Sequence, residues 1–283
     1  MGELVVLFIG ISTLIALLFS YISQNKLKKW MSGKGLWGNI LGVLFGAVTP
    51  FCACSTVPMT LGFIQAGVPF GTVMSFVISS PLMDPLVFAL LITFMGWKVA
   101  VGFLILTSVF AIVFGVVVDK LGWSDQIKNV RLKKVGREQN EDAPRRFTIR
   151  LKIAFLKAWR DFKSVLIFMI VGVGVGAAIY GYLPEALLAK VAGADKPFAV
   201  IIVALIGMPL YIRVESAIPI GLAMMDKGAS IGAVIALIIS GAGIAIPELT
   251  MLGSIFKKKI IIAFIVSVFI MAVLSGLAFN ILI

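Results

Sequence analysis

Apolar residues in this chain come in blocks of about 20, the length a helix needs to cross the hydrocarbon of a bilayer, and short polar stretches separate them. Uninterrupted blocks at residues 4–22, 98–118, 165–183 and 260–283 predict four plain spans. Residues 4–22 lack a basic leading region and a small-residue cleavage site, so they read as a retained span, not a signal peptide. Four other blocks are broken by polar residues and prolines. Residues 39–66 are interrupted at 50–58, 70–96 at 79–85, 198–225 at 209–219, and 230–255 at 240–243 and again at Pro247-Glu248. Proline removes a backbone donor and clashes with the preceding turn. In hydrocarbon the groups it frees must be buried in protein or line a wet cavity. The predicted fold class is an all-α polytopic membrane protein with interrupted or re-entrant helices.

The order of blocks repeats. A fixed shift of 161 places Gly46 on Gly207, Ser55 on Ser216, Pro58 on Pro219, Gly67 on Gly228, Gly71 on Gly232, Ser79 on Ser240 and Gly115 on Gly276. Matches of glycine, proline and serine at the breaks carry more information than apolar similarity, which any two membrane helices share. The expected domains are a first transmembrane repeat (1–122), a basic linker (123–160) and a second repeat (161–283). Paired interrupted segments in internal repeats point to the binding site of a secondary transporter.

Charge sets the hand of the repeat. The chain carries 25 Lys and Arg against 13 Asp and Glu, and 13 of the 25 lie in residues 119–163. Smaller clusters sit at 26–34 and 257–259. Basic residues beside membrane spans mark the cytoplasmic face. If all four blocks in each half crossed fully, two clusters would face the wrong side. If one broken block re-enters, all three clusters share the cytoplasm and the two repeats are inverted. Charge alone leaves open whether the block at 50–58 or the one at 79–85 re-enters. The basic balance therefore reads as topology, not as nucleic-acid binding. The chain has no histidine and two cysteines, too few ligands for zinc hydrolase chemistry. It also lacks a phosphate loop. No catalytic residue, cofactor or metal is expected; the expected partners are membrane lipid and a small-molecule substrate, with the oligomeric state open.

Both cysteines stand at the first break, Cys52-Ala53-Cys54. They read either as small packing residues or as a thiol pair suited to soft metals and thiophilic metalloids. At the equivalent positions of the second half stand Arg213 and Glu215, either a pair that locks the fold or ionisable groups facing an interior site. Ser55 and Ser216 flank them. Together Cys52, Cys54, Ser55, Arg213, Glu215 and Ser216 form the candidate substrate site. Asp84, Glu215 and Glu248 are candidate proton carriers, and a carboxylate at such a break can equally cap a half-helix.

Thr49-Pro50-Phe51-Cys52-Ala53-Cys54-Ser55, Pro58, Gly67-Val68-Pro69-Phe70-Gly71 and Ser79-Ser80-Pro81-Leu82-Met83-Asp84-Pro85 resemble the predicted-permease family that contains YraQ and the organoarsenical efflux permease ArsP. The likeness extends over nearly the whole chain. It implies a multi-pass permease of the inner (plasma) membrane, with efflux of trivalent organoarsenicals in one branch and thiols as ligands. Asp84 stands where many members carry asparagine. The functional expectation is a secondary permease moving a small solute by alternating access, a thiol-reactive organoarsenical or a sulfur-containing compound, with proton coupling. The alternatives are a passive channel and a membrane thiol-transfer protein using Cys52 and Cys54.

The charge distribution places both termini and the loop around Lys190 outside the cell, and residues 26–34 and 120–160 inside. Single cysteines added in a background lacking the native pair, labelled from each side, should report this arrangement; a cytoplasmic N-terminus would contradict the inverted repeat.

Overall fold

The computed structural model describes residues 35–49, 53–123, 198–210, 214–226, 228–244 and 246–282. The expected spans at 4–22 and 165–183, residues 124–160 of the linker and the loop around Lys190 lie outside them. Ten α-helices account for the described elements: α1 (Leu36–Val48), α2 (Ala53–Gln65), α3 (Phe70–Leu82), α4 (Pro85–Met95), α5 (Trp97–Lys120), α6 (Ala199–Leu210), α7 (Val214–Asp226), α8 (Ile231–Gly243), α9 (Ile246–Ile255) and α10 (Lys258–Leu282). The protein is an all-α membrane protein. Helices α5 and α10 are each long and apolar enough to cross a bilayer, and α3 with α4, bent by 44° at their junction, make a third such length. Large apolar side chains are exposed every fourth residue on α5 (Ile105, Val109, Val113, Val117) and on α10 (Ile262, Val266, Ile270, Leu274). Such a stripe suits lipid tails.

The shift of 161 reappears in the helix limits. Adding it to the bounds of α2 gives those of α7, and adding it to α3 gives α8. Packing repeats as well: α1 on α3 and α3 on α5 in one half, α6 on α8 and α8 on α10 in the other. Helices α3 and α8 are buried almost all round and form the centre of each half. Close approach is made possible by glycines at equivalent places. A Cβ on Gly46 would strike Ser79 Oγ, and one on Gly207 would strike Ser240 Oγ; a Cβ on Gly71 would meet the Gly115 carbonyl, and one on Gly232 the Gly276 carbonyl. Small residues of this kind let membrane helices approach closely. A side chain caps the start of each central helix, the Gly71 N–H donating to Asp119 Oδ1 and the Gly232 N–H to Asn280 Oδ1, both at 2.8 Å.

These contacts fix the path of the chain. Gly42 lies against Thr72 and Gly46 against Ser79, so α1 and α3 run parallel and start at the end of the bundle where α5 finishes. Helix α2 must therefore return the chain to that end. Thirteen residues span about 20 Å at 1.5 Å per residue, short of the roughly 30 Å of hydrocarbon, so neither α1 nor α2 is long enough to cross alone, and the far ends of both lie at one end of the bundle. Helix α4 instead continues away from that end, and Gly96, at φ 88°, turns the chain into α5. The hairpin carrying Cys54 is thus the returning one, and 70–95 is the bent through-going pair.

The breaks are narrower than the sequence suggests. Pro58, Pro81, Pro209 and Pro219 all sit within helices; among the described residues, α1 ends before Thr49, α3 and α4 are parted by Met83 and Asp84, and α8 ends before Ile244. A proline inside a membrane helix is tolerated where neighbours satisfy the freed group.

Between the halves, α5 meets α10 and α3 meets α8. A Cβ on Gly102 would lie 3.0 Å from Phe279, while the Phe114 and Phe264 rings sit 6.5 Å apart. The repeat-equivalent helices α5 and α10 therefore run antiparallel. This sets Lys120, the start of α1 and Lys257 to Lys259 at one end of the bundle.

Gly115→Ala and Gly276→Ala should each cost about 1–3 kcal/mol through overpacking, seen as a lower folded yield by size-exclusion chromatography. Unchanged yields for both would contradict the close approach of these helices.

Candidate functional site

The ends of broken helices meet between the halves. The last residue of α3, Leu82, packs near Gly243, the last of α8, which is its repeat equivalent. Helix α2 of the first half packs on α9 of the second, and α7 of the second half on α4 of the first. Each half's returning helix thus leans on the segment beyond the other half's break. Helix starts converge there: Cys54 and Ser55 lie in the first turn of α2, Glu215 and Ser216 in that of α7, and Glu248 in that of α9. Partial positive charge at such ends favours anionic or electron-rich groups.

Cys52 and Arg213 lie outside the described residues. Cys54, Ser55 and Glu215 are placed by backbone alone, and Ser216 is exposed. Proline supplies a further polar group. Pro58 and Pro219 come four residues after Cys54 and Glu215, and having no N–H they cannot complete the helical bond to those carbonyls. In both halves the sequence therefore puts a carbonyl short of a helical donor at the residue expected to face substrate.

Glu248 is fully buried on a helix that packs against the cysteine-bearing helix. Its repeat equivalent is Val87, also buried, so the carboxyl group is a feature of one half alone. Asp84 is the N-cap of α4, its Oδ1 accepting from the Leu86 N–H at 2.9 Å, with Pro85 at the first helical position. That geometry gives Asp84 a structural task.

One pairing was not legible in the sequence. Thr56 and Ser80, 24 residues apart, share a buried hydrogen bond of 3.3 Å that ties α2 to α3 beside the break. The equivalents are Ala217 and Gly241, so this tie too belongs to one half. Ser79 and Ser240 instead bond to the carbonyls of Phe76 and Leu237 within their own helices and face glycines of α1 and α6. They serve packing.

The arrangement of broken, paired apolar helices is that of a solute-conducting membrane protein. The chain belongs to the ArsP_1 family, described as predicted permease, whose model matches residues 2–281. It is 24% identical to the UPF0718 protein YcgR of Bacillus subtilis over 90% of this chain and 85% of that protein. It is 23% identical to a Streptococcus mutans protein named "Putative two-component membrane permease complex subunit", over 87% of this chain and 77% of that one. No solved structure matches the chain at a significant level.

Asp84→Ala should remove the cap of α4 and cost about 0.5–2 kcal/mol, whereas Asp84→Asn keeps the acceptor and should retain both thermal stability in detergent and transport. Loss of transport in a stably folded Asp84→Asn protein would show that the charge at this position does more than cap.

Proposed function

We propose that this membrane permease is a secondary transporter of inverted-repeat design, set in the inner (plasma) membrane with multiple passes, and that it moves a small thiol-reactive or sulfur-containing solute by alternating access. The observation that carries the reading is the antiparallel packing of the repeat-equivalent helices α5 and α10, with the broken helices of each half set against those of the other. Transporters of this kind bind substrate near the midplane, at the interface of the repeats, on half-helix ends. Among the described residues, Lys120 and Lys257 to Lys259 lie at one end of the bundle, which supports a common cytoplasmic face for that end.

Cys52, Cys54 and Ser55 form the soft side of the site, and Arg213, Glu215 and Ser216 its polar side. A neutral organoarsenical would use the first side alone, while a charged sulfur compound would use both. Glu248 is the favoured proton carrier, because it is buried beside the cysteine-bearing helix and its partner position holds valine. A second polypeptide enters the reading only because the Streptococcus relative is named as a subunit of a complex, and the native assembly should be checked for one.

Cys52→Ser and Cys54→Ser together should leave folded protein that no longer carries a trivalent organoarsenical in everted vesicles. Undiminished transport of arsenicals and small thiols alike would make the cysteines packing residues. Glu248→Gln should keep solute counterflow and lose accumulation driven by a proton gradient; a variant that still accumulates solute would remove Glu248 from coupling. Counterflow acceleration itself separates a carrier from a channel.

A further inference from the structure

The junction where α1, α3 and α5 meet is built twice, and its two copies differ in chemistry. In the second half the junction of α6, α8 and α10 is lined by Val200, Ala233 and Ala236, all buried, and Asn280 caps Gly232. The first half places Asn39, Thr72 and Ser75 at those three positions, all fully buried, and Asp119, whose side chain is exposed, at the fourth. The fold therefore does not need buried polar groups here, since its other copy packs with apolar side chains at those three positions.

Those extra groups border the contact between Gly71 and Gly115. A Cβ on Gly115 would strike Ser75 Oγ and lie 3.1 Å from Asn39 Cγ, and one on Gly71 would lie 2.8 Å from Asp119 Oδ2. Ser75 donates its hydrogen to the Ala111 carbonyl at 3.0 Å, which leaves its oxygen lone pairs as acceptors. Asp119 uses Oδ1 for the Gly71 N–H, while Oδ2 lies on the side facing Gly71. Both amide atoms of Asn39 and the hydroxyl of Thr72 are buried with no hydrogen-bond partner among the described residues. Leaving such groups unsatisfied is costly, and a native structure keeps them where something else meets them.

We propose that this junction binds one hard monovalent cation, with Na+ the best match, through Asp119, Asn39 and Ser75. Hard cations take carboxylate, amide and hydroxyl oxygens, and one carboxylate balances one charge. Capping Gly71 requires only an acceptor, as Asn280 demonstrates; the carboxylate of Asp119 strengthens that cap by its charge and leaves Oδ2 to meet a cation. Asp119 and Lys120 are both exposed at the end of the bundle that also carries Lys257 to Lys259, so the carboxylate is reachable from water. The site is separate from the thiol break and does not rest on it.

The test uses the purified full chain in detergent, with Na+ itself as the probe. Radiolabelled sodium should bind saturably, and sodium chloride should raise Tm above choline chloride at equal ionic strength. Asn39→Val and Asp119→Asn copy the second half, so they should fold, and each should abolish both signals; Ser75→Ala serves in place of Asn39→Val if that protein is unstable. Absence of saturable sodium binding in the parent would overturn the proposal. So would equal Tm in the two salts, or variants that bind like the parent, either of which would mean that the junction holds water or is merely packed.

Discussion

Every broken helix in this protein exposes backbone donors and acceptors at a depth where lipid offers no partner, and the rest of the architecture answers that constraint. The Gly71 and Gly232 amides are taken by side chains from the far ends of α5 and α10. Asp84 closes the start of α4 and Ser230 that of α8. Thr49 returns its hydroxyl to the Phe45 carbonyl at the end of α1. Because α5 and α10 supply the caps, the spanning helices fix the depth of the short ones. Glycines 71, 115, 232 and 276 follow from this, since a capping side chain reaches its target only if the backbones nearly touch.

Much of the fold was legible because the repeat keeps its glycines, prolines and serines in register. A shift of 161 found in the sequence reproduces the limits of α2 and α3 in α7 and α8. The widths of the breaks were not legible. Prolines read as interruptions, but the helices run through Pro58, Pro81 and Pro219 and break at the residues around them. Nor did charge identify the returning segment, because the basic residues constrain only the parity of crossings. That choice is fixed by the parallel run of α1 and α3, which depends on which face of each helix carries its glycines.

The candidate site was legible in part. The breaks were located, and Glu248 and the cysteines were singled out as chemistry in an apolar setting. Ser79 and Ser240, which the sequence marks as matched positions of the repeat, face glycines and serve packing. A hydroxyl near a break carries no mark in sequence of which face it occupies. The pairing of Thr56 with Ser80 escaped because it joins residues on two different helices.

The two halves share a scaffold and differ in the polar residues they carry at equivalent positions. In the register of the repeat, the thiols correspond to Arg213 and Glu215, Glu248 to Val87, the Thr56–Ser80 tie to Ala217 and Gly241, and Asn39 to Val200. In the proposed inverted-repeat carrier, symmetric packing would give two arrangements of similar energy, because exchanging the roles of the halves leaves the helix contacts much the same. A carrier needs that near-equality so that neither orientation traps it. Directional work requires the opposite property, a ligand or proton that distinguishes the two states, since a ligand equally bound in both shifts nothing. Duplication supplies the first property and divergence of a few buried residues the second. If the protein works as the proposed carrier, the polar groups confined to one half are the positions that can make its two states differ in ligand affinity.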